Sequence, residues 1–180
     1  MPIEIEKKYR LTIGQRERVR QALLGAGATC LGTEFEENTL YKSHSIDLHR
    51  AVLRVRRTPE RTVLTYKERL PTESDIKHQE EDETEVSDPD ALEKILVRLG
   101  CVRSVVYEKR RETWQLGDAE IVLDELPFGW FMEIEADVAE IRRLESELAI
   151  TDLPGETETY PRLSVRHGKR IADLIEARFD

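Results

Sequence analysis

Charged and apolar side chains alternate in several separate stretches of this chain. In Ile3–Leu11 the even-numbered residues after Ile3 are charged, and most odd-numbered residues are apolar. Because successive side chains of an extended strand point to opposite faces, this segment predicts a strand with one charged face. The same alternation recurs in later segments, where its charged members are Arg54, Arg56, Lys67, Glu83, Glu85, Lys109, Arg111, Glu133 and Glu135. Both signs of charge recur on separate strands, which predicts a charged surface assembled from the whole chain.

Amphipathic segments between the predicted strands indicate four helices. A capping box at Thr12 opens the first helix, and Asp88 followed by Pro89 opens the second, which ends at Gly100. Residues 71–81 and 151–159 are predicted to be polar loops. The apolar stripes of the four helices consist of Val19, Leu23, Leu24 and Ala26; Leu92, Ile95, Leu96 and Leu99; Val138, Ile141, Leu144 and Leu148; and Ile171, Leu174 and Ile175.

The apolar strand faces supply a surface on which such helices can pack. The charged faces must then point to solvent in an open sheet, or into a lumen if the sheet closes. A dry lumen is excluded, because burying unpaired ions costs several kcal/mol each and a domain has only about 5–15 kcal/mol of net stability. A closed sheet must therefore enclose a wet channel in which acids, bases and bound ions neutralise one another.

Composition limits the class of protein. With 180 residues, of which 39% are hydrophobic, the chain is expected to form one domain over residues 1–180. The formal net charge of −9 opposes broad nucleic-acid binding but permits a concentrated basic site for a small anion. No segment approaches the roughly 20 apolar residues of a membrane span, and the N-terminus does not resemble a signal peptide. We expect a cytoplasmic protein without a membrane partner.

The cysteines and histidines do not predict a zinc site. There are two cysteines without a paired motif, and four histidines without a metal-binding spacing. Any metal is therefore expected to be a hard cation held by oxygen atoms. The residues concerned are Cys30, Cys101, His44, His49, His78 and His167.

The order of the charged motifs resembles the CYTH superfamily, the triphosphate tunnel metalloenzymes, which include class IV adenylate cyclases, thiamine triphosphatases and inorganic triphosphatases. Three spaced charges near the N-terminus resemble the opening signature of that family, and the motifs that follow keep the family's order. The resemblance extends to about Leu163. The motifs are Glu4-x-Glu6-x-Lys8, Asn38-x-x-Tyr41, Leu53-Arg54-Val55-Arg56, Thr65-Tyr66-Lys67, Glu83-x-Glu85, Lys109-x-Arg111, Leu123-Asp124 and Glu133-Ile134-Glu135.

The resemblance implies an α+β fold, in which a closed antiparallel β-barrel of about eight strands forms a charged tunnel and amphipathic helices pack outside. It also implies Mg²⁺ or Mn²⁺ as cofactor. The implied metal ligands are Glu4, Glu6, Glu133 and Glu135, with Glu83, Glu85 and Asp124 as further candidates. The implied substrate-binding residues are Lys8, Arg54, Arg56, Lys67, Lys109 and Arg111, joined by Arg162 in a short aromatic motif with Tyr160. The implied catalytic residues are Glu4, Glu6, Lys8 and Glu135.

One position departs from the family pattern, and one group of aromatic residues has two interpretations. Glu81 stands where related sequences often carry an arginine, so one tunnel end is expected to be more acidic than usual. Several aromatic residues are able to stack on a base or a thiazole ring, although a packing role is the favoured interpretation. These are Trp114, Phe128, Trp130 and Phe131.

Three functional classes remain open at this point. The first is a metal-dependent phosphohydrolase that acts on inorganic triphosphate or a small organic triphosphate. The second is a class IV adenylate cyclase, which converts ATP to cyclic AMP and pyrophosphate. The third is a polyphosphate or nucleotide binder without turnover. A homodimer is also left open as the oligomeric state.

Overall fold

The computed structural model describes residues 3–47, 49–71 and 75–180. Within these residues it contains ten strands and four helices. In chain order they are β1 Ile3–Leu11, α1 Ile13–Gly25, β2 Thr29–Lys42, β3 Ala51–Arg57, β4 Thr62–Arg69, β5 Lys77–Glu85, α2 Pro89–Arg98, β6 Val102–Leu116, β7 Ala119–Leu126, β8 Gly129–Glu135, α3 Val138–Glu147, α4 Tyr160–His167, β9 Lys169–Ile171 and β10 Leu174–Ala177.

Eight of the strands close into an antiparallel ring. The order around it is β2, β3, β4, β5, β1, β8, β7 and β6, and a pairing between β2 and β6 closes it. Opposite residues in the register include Glu6 with Glu135 and Lys67 with Glu81. The short strands β9 and β10 continue the sheet beyond β6, and β10 pairs with β6 in parallel. The expected α+β fold with a closed ring of about eight strands is confirmed.

Helices α1 and α3 cover the outward apolar face of the ring. Val19 and Leu23 of α1 and Ile141 and Leu144 of α3 are all completely buried in one apolar cluster. Each helix begins at a side-chain cap, since Thr12 accepts a hydrogen bond from the Gln15 amide and Asp137 caps α3 in the same way. The strand residues in this cluster include Tyr9, Leu11, Trp114, Ile121, Leu123, Met132 and Ile134. The expected packing of helices outside the ring is therefore present.

One charged side chain of β1 points outward rather than into the ring. Lys7 lies on the apolar side of the strand, where its Nζ is 2.7 Å from Glu145 Oε1 and 2.5 Å from Asp75 Oδ2. The Tyr9 hydroxyl donates a second hydrogen bond to Glu145 at 2.9 Å. These contacts join β1 to α3, so we interpret Lys7 as a structural residue.

The prediction of a fourth helix at Ile171, Leu174 and Ile175 is wrong. Ile171 lies in β9, and the other two residues lie in β10, where Ile175 pairs with Val105. The actual fourth helix, α4, starts at the Thr159 cap and ends at Gly168. A Cβ at Gly168 would lie 2.6 Å from the Ser164 carbonyl oxygen and 2.7 Å from that of Glu176, so only glycine fits there.

The predicted loop over residues 71–81 is also partly wrong. Residues 77–81 belong to β5, because this charged segment pairs with β4 on one side and with β1 on the other. Thr72, Glu73 and Ser74 lie outside the described residues. The other predicted loop, 151–159, is irregular apart from a single bridge between Gly155 and Tyr9. Within the described part of the chain, no helix combines the length and apolar character needed to cross a bilayer.

Candidate functional site

The charged strand faces meet inside the ring around a cavity of about 300 Å³, called here the charged cavity. It brings together most of the side chains that the sequence singled out, along with two unassigned acids, Glu81 and Glu120. The charged residues that line it are Glu4, Glu6, Lys8, Arg54, Arg56, Lys67, Glu81, Glu83, Lys109, Arg111, Glu120, Glu133 and Glu135. The alternation in sequence thus corresponds to inward and outward faces of the ring.

A completely buried carboxylate, Glu36 of β2, lies among the basic residues. Its Oε2 is 3.3 Å from Lys109 Nζ, and its Oε1 is 3.8 Å from Arg56 Nη1 and 3.9 Å from Arg111 Nε. Burial alone would raise the pKa of Glu36, but the positive charges of Lys109 and Arg111 lower it to about 2. Glu36 is therefore an anion that holds bases from β3 and β6 together.

Asp124 of β7 is enclosed by the same bases. Arg111 donates from Nε to Asp124 Oδ1 at 2.8 Å and from Nη2 to Oδ2 at 2.7 Å. Arg111 Nη2 also donates to Glu133 Oε2 at 2.8 Å. The Tyr160 hydroxyl donates to Asp124 Oδ2, again at 2.8 Å. Asp124 is completely buried, and both of its oxygens have basic or hydroxyl partners. Its predicted role as a further metal ligand stays a prediction.

Lysines partner several of the acids on the other side of the charged cavity. Lys67 Nζ lies 2.6 Å from Glu4 Oε2 and 2.9 Å from Glu81 Oε2. Lys8 Nζ lies 3.1 Å from Glu133 Oε1. Burial alone would raise the pKa of Glu133, but Lys8 and the other neighbouring cations lower it. These pairs keep Glu4 and Glu133 ionised.

A row of acids with too few basic partners remains at one part of the wall. Glu120, Glu135 and Glu6 are direct neighbours on β7, β8 and β1. Burial and the charges of Glu4 and Glu120 raise the pKa of Glu135 to about 7. Burial and a hydrogen bond with Glu4 raise the pKa of Glu81 to about 8. The negative charge at this part of the wall is therefore incompletely compensated by protein cations.

The chemistry of this wall suits a hard divalent cation. All the donors are carboxylate oxygens, which Mg²⁺ and Mn²⁺ prefer, and a cation would relieve the repulsion that raises the pKa of Glu135. Among residues 3–47, 49–71 and 75–180, however, no three His, Cys, Asp or Glu side chains already converge as a metal-binding group. Glu6 is instead 2.9 Å from Lys77, a base that the sequence analysis did not assign.

Three predicted site residues do not line the charged cavity: Asp124 is buried against Arg111, and the other two lie further away. Glu85 is exposed at the end of β5 and is not among the lining residues. Arg162 is exposed on α4 and lines a neighbouring cavity. Glu83, by contrast, lies at the charged wall, where its Oε1 accepts from the Thr65 hydroxyl at 2.7 Å and from Arg56 Nη2 at 3.2 Å. The predicted roles of Glu85 and Arg162 stay predictions.

Helix α4 packs on an apolar cluster that includes Leu40 of β2, Val105 of β6 and Phe131 of β8. The first helical residue, Tyr160, is buried there, and the Lys8 ammonium lies 3.8 Å from the centroid of its ring. Tyr160 therefore joins α4 to both a base and an acid of the site, Lys8 and Asp124.

A second cavity of about 420 Å³, called here the apolar cavity, lies between α4 and the strands. Its walls are largely apolar and include Leu53, Val105 and Val165. Val52 and Lys67 line both cavities, so the two adjoin. The aromatic residues considered for stacking do not line either one. Trp114 and Phe131 are buried in apolar clusters, Trp130 lies against Arg16, and Phe128 stacks on His167.

The raised pKa of Glu135 predicts a pH dependence of stability. The folded protein retains the Glu135 proton up to about pH 7, whereas the unfolded chain releases it near the ordinary value of 4.5. Stabilisation from this group is therefore present below about pH 4.5 and is lost as the pH rises to about 7. In chelator, Glu135→Gln should reduce the difference in Tm between about pH 5 and about pH 8.5 by ~3 °C, after allowance for solvent screening at this open wall.

Thermal unfolding at the two pH values measures this effect. Glu60→Gln, in the exposed turn between β3 and β4, is the matched control and should leave the difference unchanged. An identical pH dependence in wild type and Glu135→Gln would show that Glu135 is already ionised at low pH.

Comparisons with known proteins agree with this architecture. PH1012 from Pyrococcus horikoshii OT3 has 27% sequence identity and a TM-score of 0.77, over 89% of this chain and 98% of that one. HpAC1 from Hippeastrum, named as a candidate adenylyl cyclase and described as having a dominant triphosphatase activity, has 22% identity and a TM-score of 0.68, over 94% and 98% of the two chains. A candidate adenylate cyclase from Vibrio parahaemolyticus has 19% identity and a TM-score of 0.68, over 89% and 97%.

Comparison with curated proteins gives no match. The family comparison does give one: residues 2–157, most of the chain, match the CYTH domain. This match spans the eight strands of the ring and the charged residues of its inner face. The chain therefore belongs to the CYTH domain family.

Proposed function

We propose that this protein is a divalent-metal-dependent hydrolase of inorganic triphosphate or a small organic triphosphate. The observation that supports it most is the single cavity that carries Arg54 and Arg56 on one strand, Lys109 and Arg111 on another, and uncompensated acids such as Glu135. A triphosphate has several negative charges and needs bases, whereas its metal ions need carboxylates. HpAC1, described with a dominant triphosphatase activity, has the same fold.

In this proposal the basic residues bind phosphate oxygens. Arginine presents a planar fork that binds two oxygens, and lysine acts as a point charge. Because fixed cations also stabilise the charge that develops on the leaving oxygen, binding and catalysis use the same groups. The proposed substrate-binding residues are Lys8, Arg54, Arg56, Lys67, Lys109 and Arg111, with Arg162 of α4, which lines the neighbouring cavity, as a further candidate.

The acids supply the metal ligands and a proton acceptor. Bound Mg²⁺ or Mn²⁺ would polarise phosphate oxygens and make water a competent nucleophile. Glu135 has a pKa of about 7 in the metal-free cavity; a bound cation would lower that pKa, so the carboxylate would be ionised and able to accept a proton from the attacking water. The proposed metal ligands are Glu4, Glu6, Glu133 and Glu135, with Glu83, Glu85 and Asp124 as further candidates, and the proposed catalytic residues are Glu4, Glu6, Lys8 and Glu135.

A class IV adenylate cyclase is the second candidate, because the apolar cavity offers space for the nucleoside of ATP. Incubation with Mg²⁺ or Mn²⁺ and, separately, triphosphate and ATP distinguishes the classes. Orthophosphate identifies a hydrolase, cyclic AMP identifies a cyclase, and binding without either product identifies a sensor. We also propose a cytoplasmic location, to be tested by cell fractionation, and a homodimer, to be tested by light scattering.

We expect Arg54→Ala to weaken triphosphate binding by about tenfold to more than a hundredfold. The change removes a charge-assisted contact with phosphate worth about 1.5–3 kcal/mol. Arg54→Lys should restore binding only in part, since it keeps the charge and loses the fork. Calorimetric titration with triphosphate measures both variants.

Arg143→Ala is the control for this experiment. Arg143 is exposed on α3, where it pairs with Glu140 and Glu147 outside the ring. Its neighbour Arg142 is unsuitable, because it contacts Asp75 and Glu145 beside Lys7. Equal affinities for Arg54→Ala and Arg143→Ala would contradict a phosphate-binding role for the strand arginine.

A further inference from the structure

The hydroxyl and the ring of Tyr160, the first residue of α4, contact two different charged groups. The hydroxyl donates to Asp124 Oδ2 at 2.8 Å, and the ring centroid lies 3.8 Å from Lys8 Nζ. Tyr160 is only 6% exposed, so both contacts are made inside the protein. The match to the CYTH domain ends at residue 157, so Tyr160 lies beyond the matched segment.

The hydroxyl contact reaches Arg111 through Asp124. Arg111 donates to both oxygens of Asp124, at 2.8 Å and 2.7 Å, and Oδ2 is the oxygen that also accepts from Tyr160. Lys109 Nζ lies 3.4 Å from the same oxygen. These three donors hold the carboxylate in one orientation, and its two oxygens in turn set the plane of the Arg111 guanidinium. Without the hydroxyl, the carboxylate can turn towards Lys109, and the guanidinium would lose its alignment.

The ring contact restricts the ammonium group of Lys8. Lys8 Nζ also lies 3.1 Å from Glu133 Oε1 and donates to the Glu158 carbonyl oxygen at 3.3 Å. The aromatic face of Tyr160 is a third partner, because an aromatic ring attracts a cation above it. A free lysine side chain has many rotamers, so holding one of them before a ligand arrives lowers the entropy cost of binding. The ring therefore preorganises Lys8.

From these contacts we infer that Tyr160 is a positioning residue for two of the proposed phosphate-binding bases, Arg111 and Lys8. Its hydroxyl aligns Arg111 through Asp124, and its ring holds Lys8 in place. The inference rests on the proposed function, because it assumes that these bases bind the triphosphate chain. It gives α4, which is not part of the ring, a role in substrate binding.

Calorimetric titration with a triphosphate analogue tests the inference. Methylene bridges replace the bridging oxygens of the analogue, so the protein cannot cleave it during the measurement, and Mg²⁺ is present throughout. Tyr160→Phe removes the hydroxyl and keeps the ring, whereas Tyr160→Leu removes both. We expect the first change to weaken binding by about threefold to tenfold. The second change should weaken it by a further factor of about three or more.

Tyr9→Phe is the matched control. Tyr9 is also buried, and its hydroxyl likewise donates to a carboxylate, that of Glu145, at 2.9 Å. This contact lies outside the ring, so Tyr9→Phe and Tyr160→Phe remove the same kind of bond on opposite faces of the sheet. Thermal unfolding should show that both variants lose stability, whereas Tyr9→Phe should keep its affinity for the analogue within about twofold of wild type.

A double variant distinguishes positioning from direct contact with the ligand. In Arg111→Lys the two-oxygen contact with Asp124 is already lost, so the addition of Tyr160→Phe should cost less than about twofold in affinity. If the loss caused by Tyr160→Phe persists in full in that background, the hydroxyl binds the ligand directly and the inference is wrong.

The remaining outcomes separate the inference from the proposed function. If the wild-type protein neither binds the analogue nor releases orthophosphate from triphosphate, the proposed function fails and the inference fails with it. If the wild type binds the analogue but Tyr160→Phe has the same affinity as Tyr9→Phe, the proposed function survives and the inference is wrong. Equal affinities for Tyr160→Phe and Tyr160→Leu would show that the ring does not position Lys8.

Discussion

Removal of divalent cations is expected to abolish triphosphate turnover by this protein. The row of Glu6, Glu120 and Glu135 carries more negative charge than the nearby lysines compensate, and the pKa of Glu135 is raised to about 7. A bound cation would compensate that charge and supply the activated water. Orthophosphate release should cease after exhaustive treatment with chelator and return when Mg²⁺ or Mn²⁺ is added. Full activity in the metal-depleted protein would contradict a metal-dependent mechanism.

The variant Glu135→Gln distinguishes a metal-binding role of Glu135 from a structural role. The change should lower turnover and metal affinity, yet the metal-free protein should be as stable as wild type or more stable, because repulsion from Glu4 and Glu120 is relieved. Thermal unfolding in chelator measures the stability of the metal-free protein, and the rise in Tm on addition of Mn²⁺ reports metal binding. Glu60→Gln is the control. If Glu135→Gln loses equal stability in both conditions, then Glu135 is a structural partner of basic residues.

The two-faced strands are the part of the fold that the sequence predicts well. A period of two fixes which side chains share a face, so Arg54 and Arg56 had to lie opposite Leu53 and Val55. Burial of unpaired ions is costly, so a closed sheet required acids and bases to face one another. The structure shows such an acid–base pair for Arg54 of β3, whose Nη2 lies 3.5 Å from Oε1 of Glu83 on β5, with β4 between the two strands.

The acids that the sequence analysis missed depend on pairing between distant strands. Glu36 joins the site because β2 pairs with β6, and this pairing brings the Glu36 carboxylate to Lys109. Glu120 joins the acidic row only through the register of β7 with β8. Local alternation does not encode these registers. One signal was available for Glu36, since it lies two residues before Asn38 and therefore on the same strand face.

The errors in the predicted elements have a related cause. Ile171, Leu174 and Ile175 have helical spacing, but the stripe is only three residues long, and Ile175 pairs with Val105 of β6 instead. Tertiary pairing overrides so weak a local signal. The polar loop predicted over residues 71–81 includes Lys77, yet Lys77 lies in β5, which is paired on both sides. Hydrophobic pattern alone cannot identify a strand whose inward and outward faces are both polar.

Arg111→Ala is expected to destabilise the protein by about 3–5 kcal/mol. Arg111 holds both oxygens of Asp124 at 2.7–2.8 Å and also bonds to Glu133 at 2.8 Å. Asp124 is completely buried and Glu133 nearly so, so removal of the guanidinium leaves buried negative charge with less compensation. Urea unfolding measures the loss. Arg111→Lys should recover part of it, because the charge remains while the two-oxygen contact is lost.

The adjacent residue on the same strand is the matched control. Arg110 points outward, where it pairs with Glu125 at 3.1 Å and lies 4.1 Å from the Phe179 ring centroid. Arg110→Ala should cost about 1 kcal/mol or less, as exposed ion pairs usually do. Asp124→Asn in the Arg111→Ala background should restore some stability, because it removes one of the stranded charges. Equal losses at positions 110 and 111, or no recovery in the double variant, would mean that Arg111 does not compensate the buried acids, and its guanidinium would then have to be assigned to substrate alone.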